Sequence, residues 1–337
     1  MKKHLLFLIC LGALLLTSCE EVFFQPEPAN DPEALFENLW KVFNEDYGPT
    51  TERGIDWDAL YTTYRPQVTA STSDDELFAV INSMLATTDD GHVNLTAPGR
   101  DGVNANYLRN NEINDSLFNL DNITNYYLEP GYTLLKDEFV YGTIRGENIG
   151  YFYFNNIGDN FFRLDEFLNA NSDSRGIIID LRHNGGGDFT YCYSEMGRLV
   201  DEKRLAFSSR TKNGTGPEDF TDWTEWYVEP AGEYYNKPIV LLIDRYTISA
   251  GERAVMAFMT LPNVTIVGDT TCGAHATIVG RELANGWYYT VPIQNTLLPD
   301  GKTYEGVGLP PDILFYNEIS DVRSGLDRTL EKAIDEF

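Results

Sequence analysis

The spacing of apolar positions changes period along the chain. From residue 31 to about 90 it is helical: Leu35, Phe36, Leu39, Trp40 and Phe43 fall on one face, and Asp31-Pro32-Glu33 ahead of them is a helix start with proline in the first turn. A second helix is predicted from Trp57 to Tyr64 or beyond. A third opens at Ser73-Asp74-Asp75-Glu76, a capping box, and continues through Leu77, Val80, Ile81, Met84 and Leu85. Residues 94 to about 135 are polar, asparagine-rich and weakly periodic, and read as a hairpin with loops. From Phe139 short apolar runs take over. They predict strands at 139–144, 149–154, 176–181, 238–243 and 264–267, and a strand pair near 277–284 and 287–293. Helices are predicted at 160–168, 188–199 and 249–260, and residues 208 to 224 read as loop. Alternation of strand and helix argues an α/β domain with a largely parallel central sheet. The expected divisions are a small helical domain at 31–92, a polar connecting region at 93–138 and the α/β domain at 139–337.

The N-terminus departs from this pattern. Met1-Lys2-Lys3-His4 is basic, and Leu5 to Leu16 is an apolar run of 12 residues, too short to span a bilayer as a stable helix. Leu16-Thr17-Ser18-Cys19 resembles a bacterial lipobox. The resemblance implies that residues 1–18 are a signal peptide cleaved before Cys19 and that the Cys19 thiol is lipidated. Residues 19–30, with Gln25-Pro26-Glu27-Pro28, read as a tether. An exported protein anchored in the cell envelope, at the outer membrane, is expected. A plain signal peptide with an incidental cysteine is the alternative.

About 320 residues remain after such a leader, enough for a large core and two domains. The net charge of −27 excludes the basic face that nucleic-acid readers need, and repels anionic substrates at long range. Of four cysteines, Cys10 leaves with the leader, so only Cys192 and Cys272 remain beside Cys19. One disulfide between them is conceivable in an oxidising compartment; two unpaired, buried thiols are expected. Two cysteines and three scattered histidines form no metal-ligand spacing, and no cofactor motif is present.

Candidate chemistry lies in two glycine-bearing segments. One runs from Ile177 through Asp180-Leu181-Arg182-His183-Asn184-Gly185-Gly186-Gly187-Asp188, the other from Ile239 through Thr247-Ile248-Ser249-Ala250-Gly251-Glu252. Each is an apolar strand that breaks into a turn and opens a helix, which aims backbone N–H groups and one side chain into a crevice. In the second segment that side chain is Ser249. The helix N-terminus favours negative charge, and the Ala250 N–H would face an oxyanion beside the nucleophile. Backbone of Gly185–Gly186 can supply a second donor, because glycine lets the chain approach a substrate closely. Each segment alone has an ordinary explanation: a helix-capping serine and a structural turn.

Together with two further segments they resemble a family. Asp180-Leu-Arg-His-Asn-Gly-Gly-Gly is similar to the D-x-R-x-N-G-G-G signature of the S41 serine peptidases, and Thr247–Glu252 to their nucleophile segment. Tyr304-Glu-Gly-Val-Gly-Leu-Pro-Pro-Asp312 resembles the closing E-G-x-G-x-x-P-D element, and Asp89-Asp90-Gly91-His92 the D-G-H segment of the tricorn-like branch. The four stand in family order over residues 89 to 315. The resemblance implies a ClpP/crotonase-like core and a serine peptidase that cleaves extended or unfolded polypeptides through an acyl-enzyme on Ser249.

Serine needs a base. The lysine that processing proteases of this family carry after the serine aligns with Ala274 in Thr270–His275, so a Ser–Lys dyad is absent. Histidine suits general-base work near neutral pH. His92 matches the tricorn-like histidine and is the expected base; His275 is the runner-up, and His183 is incidental. Glu305 matches the tetrad's acidic residue. The tetrad's small hydroxyl residue is replaced here by Gly91. Glu252 reads as a first-turn helix carboxylate, and Asp180 and Arg182 as a pair bracing the glycine turn. Only 45 residues separate Val93 from Phe139, too few for the PDZ domain of most processing proteases. Substrate tails would then be held by the cleft, by strand addition at a sheet edge. Two other readings compete: a catalytically idle peptide- or ligand-binding protein on the same fold, and an α/β-hydrolase esterase. The second is weak, since T-I-S-A-G is not a G-x-S-x-G elbow.

Overall fold

The computed structural model describes residues 29–107, 115–135, 139–158 and 163–337. The expected leader, Cys19, the tether up to residue 28 and the expected helix start at Asn160 lie outside the described residues.

Three helices open the described chain: α1 (Pro32–Asp46), α2 (Trp57–Tyr64) and α3 (Asp74–Ala86). Their starts obey local chemistry. The Asp31 carboxylate accepts the Ala34 N–H at 3.1 Å. At Ser73 the capping box is complete: the Ser73 N–H donates to Glu76 Oε2 (2.8 Å) and the Glu76 N–H to Ser73 Oγ (3.4 Å). Such caps are each worth about 1 kcal/mol.

The strands follow as β1 (Asn94–Thr96), β2 (Val103–Asn104), β3 (Thr133–Leu135), β4 (Phe139–Thr143), β5 (Ile149–Phe154), β6 (Gly176–Asp180) and β7 (Arg204–Thr211). After these come β8 (Thr224–Val228), β9 (Ile239–Ile243), β10 (Val264–Gly268), β11 (Ile278–Glu282), β12 (Tyr288–Pro292), β13 (Gln294–Leu297) and β14 (Ile313–Leu314). The central sheet has the order β14-β10-β9-β6-β5-β4-β3. Pairing is parallel from β5 to β14 and antiparallel among β3, β4 and β5. Helices α4 (Leu164–Ala170), α5 (Phe189–Glu195), α6 (Ala250–Phe258) and α7 (Arg328–Ile334) accompany it. Every residue of β5, β6 and β9 is buried, as expected for parallel strands covered on both faces. This is the expected mixed α/β architecture with a mostly parallel core and a helical N-terminal region.

The apolar pattern predicts no strand at β8, β13 or β14, and two further features differ from the sequence expectation. Strand β7 runs into the stretch that read as loop, because its polar end, Ser208-Ser209-Arg210-Thr211, is held by cross-strand pairing with β13 and β8 rather than by an apolar run. The Trp226 indole N–H also reaches Ser209 Oγ at 3.0 Å. The other difference concerns the helical region, whose core continues into later chain. Phe36, Phe43, Leu77 and Met84 share one buried cluster with Trp287, Tyr289 and Val291 of the β11–β12 hairpin. That hairpin pairs with β1 in a second sheet of order β11-β12-β1-β2, so the segment carrying His92 is pinned to the far end of the chain. Cys192 and Cys272 are not joined in a disulfide; Cys192 is buried against Met196, whereas Cys272 is only partly buried, unlike the buried thiol expected.

Candidate active site

Strands β6 and β9 are neighbours, so the turns that follow them meet. The Asp244 carboxylate folds the second turn by accepting the N–H groups of Tyr246 and Thr247, each at 3.0 Å, and reaches across to the His183 N–H at 3.0 Å. Thr247 Oγ1 donates to the Leu181 carbonyl (2.9 Å), and the Ile248 N–H to the Asn184 carbonyl (3.0 Å). The two segments singled out in the sequence are therefore stitched into one platform.

On that platform Ser249 caps α6 with φ +60° and ψ −122°. A non-glycine residue at positive φ costs about 1–3 kcal/mol and persists only where its surroundings hold it. Two acceptors hold it here: the Ser249 N–H donates to the Ala274 carbonyl (3.2 Å) and to Glu252 Oε2 (3.3 Å). Gly186 closes the other side. It has φ +88°, and a Cβ there would lie 2.6 Å from Ser249 Cβ, so the close approach requires glycine.

The N–H groups of Gly185 and Gly186, expected to face an oxyanion, are committed elsewhere. They donate to the Asn155 carbonyl (2.8 Å) and to Asn184 Oδ1 (3.0 Å). Among the described residues the N–H groups of Ala250 and Gly187 carry no hydrogen bond, and both residues line the cleft over Ser249.

His92 lines that same cleft, of about 600 Å³. It is 5% exposed, and neither ring nitrogen has a hydrogen-bond partner among the described residues. No hydrogen bond joins it to Ser249. Burial lowers its pKa to about 4 against the opposing pull of Asp90, leaving the ring neutral at pH 7. Asp90 Oδ1 accepts the His92 N–H at 2.8 Å, and Asp90 Oδ2 accepts the Tyr47 hydroxyl at 2.7 Å.

His275 stands outside the cleft. Its Nε2 meets Glu252 Oε1 at 3.1 Å, with both side chains fully buried. Burial disfavours its charge, but Glu252 and Glu305 outweigh that and raise its pKa. Glu252 gathers further donors from Thr271 Oγ1 (2.5 Å) and the N–H groups of Gly273 (2.7 Å) and Ala274 (2.9 Å). Burial would raise the Glu252 pKa; His275 and these donors reverse the sign and lower it to about 2. The first-turn carboxylate of the sequence reading thus anchors the loop that fills the place of the family's lysine.

Glu305 faces His275 and an arginine. Glu305 Oε2 accepts the His275 N–H (2.8 Å), and Oε1 accepts Arg53 Nε (3.0 Å) and Nη2 (2.6 Å). Arg53 also pairs with Asp90 at 3.3 Å and donates to the carbonyls of Thr88, Asp89 and Gly273. Glu305 is linked to the His92 segment through this guanidinium. Arg53 and the cleft residue Arg253 were missed in the sequence; neither stands in a motif, and their partners are distant in the chain. Asp180 and Arg182 do pair, at 2.6 Å, and Asp327 completes that pair at 2.9 Å.

The comparisons with known proteins agree with this architecture. Residues 148–315 match peptidase family S41, and residues 28–86 match the Tricorn protease C1 domain. The carboxy-terminal processing protease CtpA of Bacillus subtilis is 24% identical over 179 residues, 52% of this chain and 37% of that protein. The chain spans about a third of the length of the curated relatives it matches. Among solved structures, a protein of Parabacteroides merdae assigned as a peptidase superposes with a TM-score of 0.80 at 29% identity, over 91% of this chain and 96% of that one. Mature CPAF shares the fold with a TM-score of 0.67 at 11% identity, over 90% of this chain and 95% of that one. Through residues 148–315, with the site just described inside and beside them, the chain belongs to peptidase family S41, a family of serine-type hydrolases.

Proposed function

We propose that the protein is a serine peptidase that cleaves extended or unfolded polypeptides, with Ser249 as nucleophile and His92 as general base. One observation carries the reading. Ser249 is held at positive φ at a helix N-terminus, with the unengaged Ala250 N–H beside it, in a cleft also lined by a neutral, unbonded imidazole. His92 takes the Ser249 hydroxyl proton as Oγ attacks the scissile carbonyl carbon. The oxyanion forms against the N–H groups of Ala250 and Gly187. Collapse breaks the C–N bond, and the amine leaves with the proton from His92. Water, deprotonated by the same ring, then hydrolyses the acyl-enzyme. One oxyanion donor is worth about 3 kcal/mol and the base roughly 10²–10⁴-fold in rate. Asp90 lies nearest to steady the imidazolium, and Glu305 acts through Arg53. The Ser249 hydroxyl donates its hydrogen bond to the His92 ring when substrate closes the site, as is common for such pairs.

The edge strand β11 borders the cleft at Ile278, which suits an extended peptide added as a further strand. Lipidation at Cys19 would hold the enzyme at the cell envelope; Cys19→Ala should release it from membranes, and unchanged fractionation would refute the anchor.

A catalytically idle binding protein is the second reading, favoured by the absent His92–Ser249 hydrogen bond and by Gly91. The deciding experiment is Ser249→Ala. Cleavage of an unfolded protein and labelling by a serine-reactive phosphonate should both vanish, whereas full retained cleavage refutes the peptidase assignment.

A further inference from the structure

Arg253 lies one turn along α6 from Ser249, its N–H donating to the Ser249 carbonyl at 3.1 Å, and lines the same cleft. It is 4% exposed. Its guanidinium lies over the rings of Phe189 (4.7 Å to the centroid) and Phe207 (5.0 Å). Nε and Nη2 donate to the His275 carbonyl (3.2 and 2.9 Å), and Nη2 also to Gln294 Oε1 (2.7 Å). Every oxygen it meets is neutral. Among the described residues no carboxylate stands within ion-pair distance, and Nη1 donates to nothing.

The other deeply buried arginines behave differently. Arg53 has Glu305 and Asp90; Arg182 has Asp180 and Asp327. A buried cation without a counter-ion is costly, and natural proteins almost always pair one. Burial lowers the Arg253 pKa to about 10, with Tyr193, Glu305 and Glu252 opposing that fall from a distance, so the group stays charged at neutral pH. The chain carries a net −27, and the one carboxylate lining this cleft among the described residues, that of Asp188, is hydrogen-bonded to Thr190 and forms no ion pair with Arg253. The distant net charge is screened over about 8–10 Å at physiological salt, so it does not by itself bar an anionic group from the cleft.

We propose that Arg253 is a specificity-determining residue that binds a carboxylate of the polypeptide substrate through Nη1. This rests on the cleft being the peptidase site. One helical turn is about 5.4 Å and an extended residue about 3.3 Å, so the substrate positions to test are the two on each side of the scissile bond. Its source is an Asp or Glu side chain, or the terminal carboxylate of a chain ending there; the recognising chemistry is the same.

The test uses full-length Ser249→Ala and fluorescent decapeptides. A neutral parent carries Gln at the two positions on each side of the scissile bond. Four members replace one Gln with Glu, and a further pair ends two residues past the bond as free acid or amide. One carboxylate-bearing member should bind about ten- to a hundredfold more tightly than its neutral counterpart, the range of a charge-assisted hydrogen bond. Which member wins identifies the source. Adding Arg253→Gln should bring that ratio to within about twofold, and Arg253→Lys, which keeps the charge without the fork, should leave an intermediate ratio; near-ultraviolet circular dichroism checks that both fold. Absence of a preferred member in the Ser249→Ala protein overturns the proposal whether or not the arginine variants fold, and so does a preference that survives Arg253→Gln. The unsubstituted protein is then assayed for cleavage of the same set. Ser249-dependent cleavage with no carboxylate preference overturns this inference alone, while carboxylate-selective binding without such cleavage overturns the peptidase reading alone.

Discussion

Replacing Arg53 with methionine should separate the role of the buried charge clasp from that of the catalytic groups it touches. The guanidinium is buried, pairs with Glu305 at 2.6 Å and with Asp90 at 3.3 Å, and donates to three carbonyls. Methionine fills much of the volume but leaves two buried carboxylates facing each other. Removing one partner of a buried ion pair costs about 3–5 kcal/mol. At about 2 °C per kcal/mol for a chain of this size, the melting temperature should fall by roughly 6–10 °C at pH 7.5. Burial already raises the Glu305 pKa, with Arg53 the leading opposing influence. Without Arg53 the carboxyl pKa rises further above its unfolded value, so the folded protein binds more protons than the unfolded one. Stability then declines as pH rises from the unfolded value, about 4.3, through the folded one. The deficit against the unsubstituted protein should therefore be largest at pH 7.5 and narrow by pH 5. Adding Asp90→Asn and Glu305→Gln should recover most of it. Arg53 also fixes the backbone just before His92, so kcat/KM should drop on the order of 10²-fold, as a misplacement of about 1 Å can produce. Urea unfolding at the two pH values and peptide hydrolysis read these quantities. A loss below about 1 kcal/mol, or a deficit that does not change with pH, refutes the reasoning.

His92 must be neutral to accept a proton, and burial sets its pKa at about 4. A pH profile of kcat/KM should accordingly stay flat from pH 7 to 5 and fall only as pH drops through about 4; an acid limb centred near 6.5 would contradict the buried, unpaired ring. Ser249→Gly should raise stability to urea by about 1 kcal/mol or more while abolishing cleavage, because glycine tolerates φ +60° without strain; equal or lower stability would show that the backbone there stores no strain. Gly186→Ala forces a Cβ to within 2.6 Å of Ser249 Cβ at φ +88°, so it should lower kcat/KM at least 100-fold, with a stability cost of about 1–3 kcal/mol; near-normal kinetics would refute the close-approach role. His275→Asn should lower stability as well as activity, since it leaves buried Glu252 without its imidazole partner; calorimetry showing an unchanged melting temperature would count against the clamp.

Much of the fold was legible because its signals are local. Ser73 and Glu76 form their capping box within one turn, and the runs at 149–154 and 239–243 became fully buried strands. Strand β7 was not legible, because Ser208 to Thr211 are polar and owe their extended form to β8 and β13, partners remote in the chain. The site divides in the same way. Ser249 and the glycine turn show themselves through strand, turn and helix start. The carbonyl and amide that occupy the N–H groups of Gly185 and Gly186 belong to Asn155 and Asn184, and the Asn155 contact is set by a separate strand end. Among the three histidines beyond the expected leader, spacing alone left His92 and His275 open. Packing put His275 against Glu252 in the interior and turned His92 toward the cleft.

By itself the sequence determined the periodic elements, the capped helices, the absence of the family's lysine and the two turns that carry Ser249 and its glycine neighbour. Each depends on residues within a few positions of one another, where backbone sterics and side-chain capping act. Only the tertiary structure decided which charges meet. Arg53 reaches Glu305 across 252 positions, and Arg253 reaches Gln294 across 41. Coulomb energy depends on separation in space and on burial, and both are set only once the helical region, the β11–β12 hairpin and the parallel sheet have packed together.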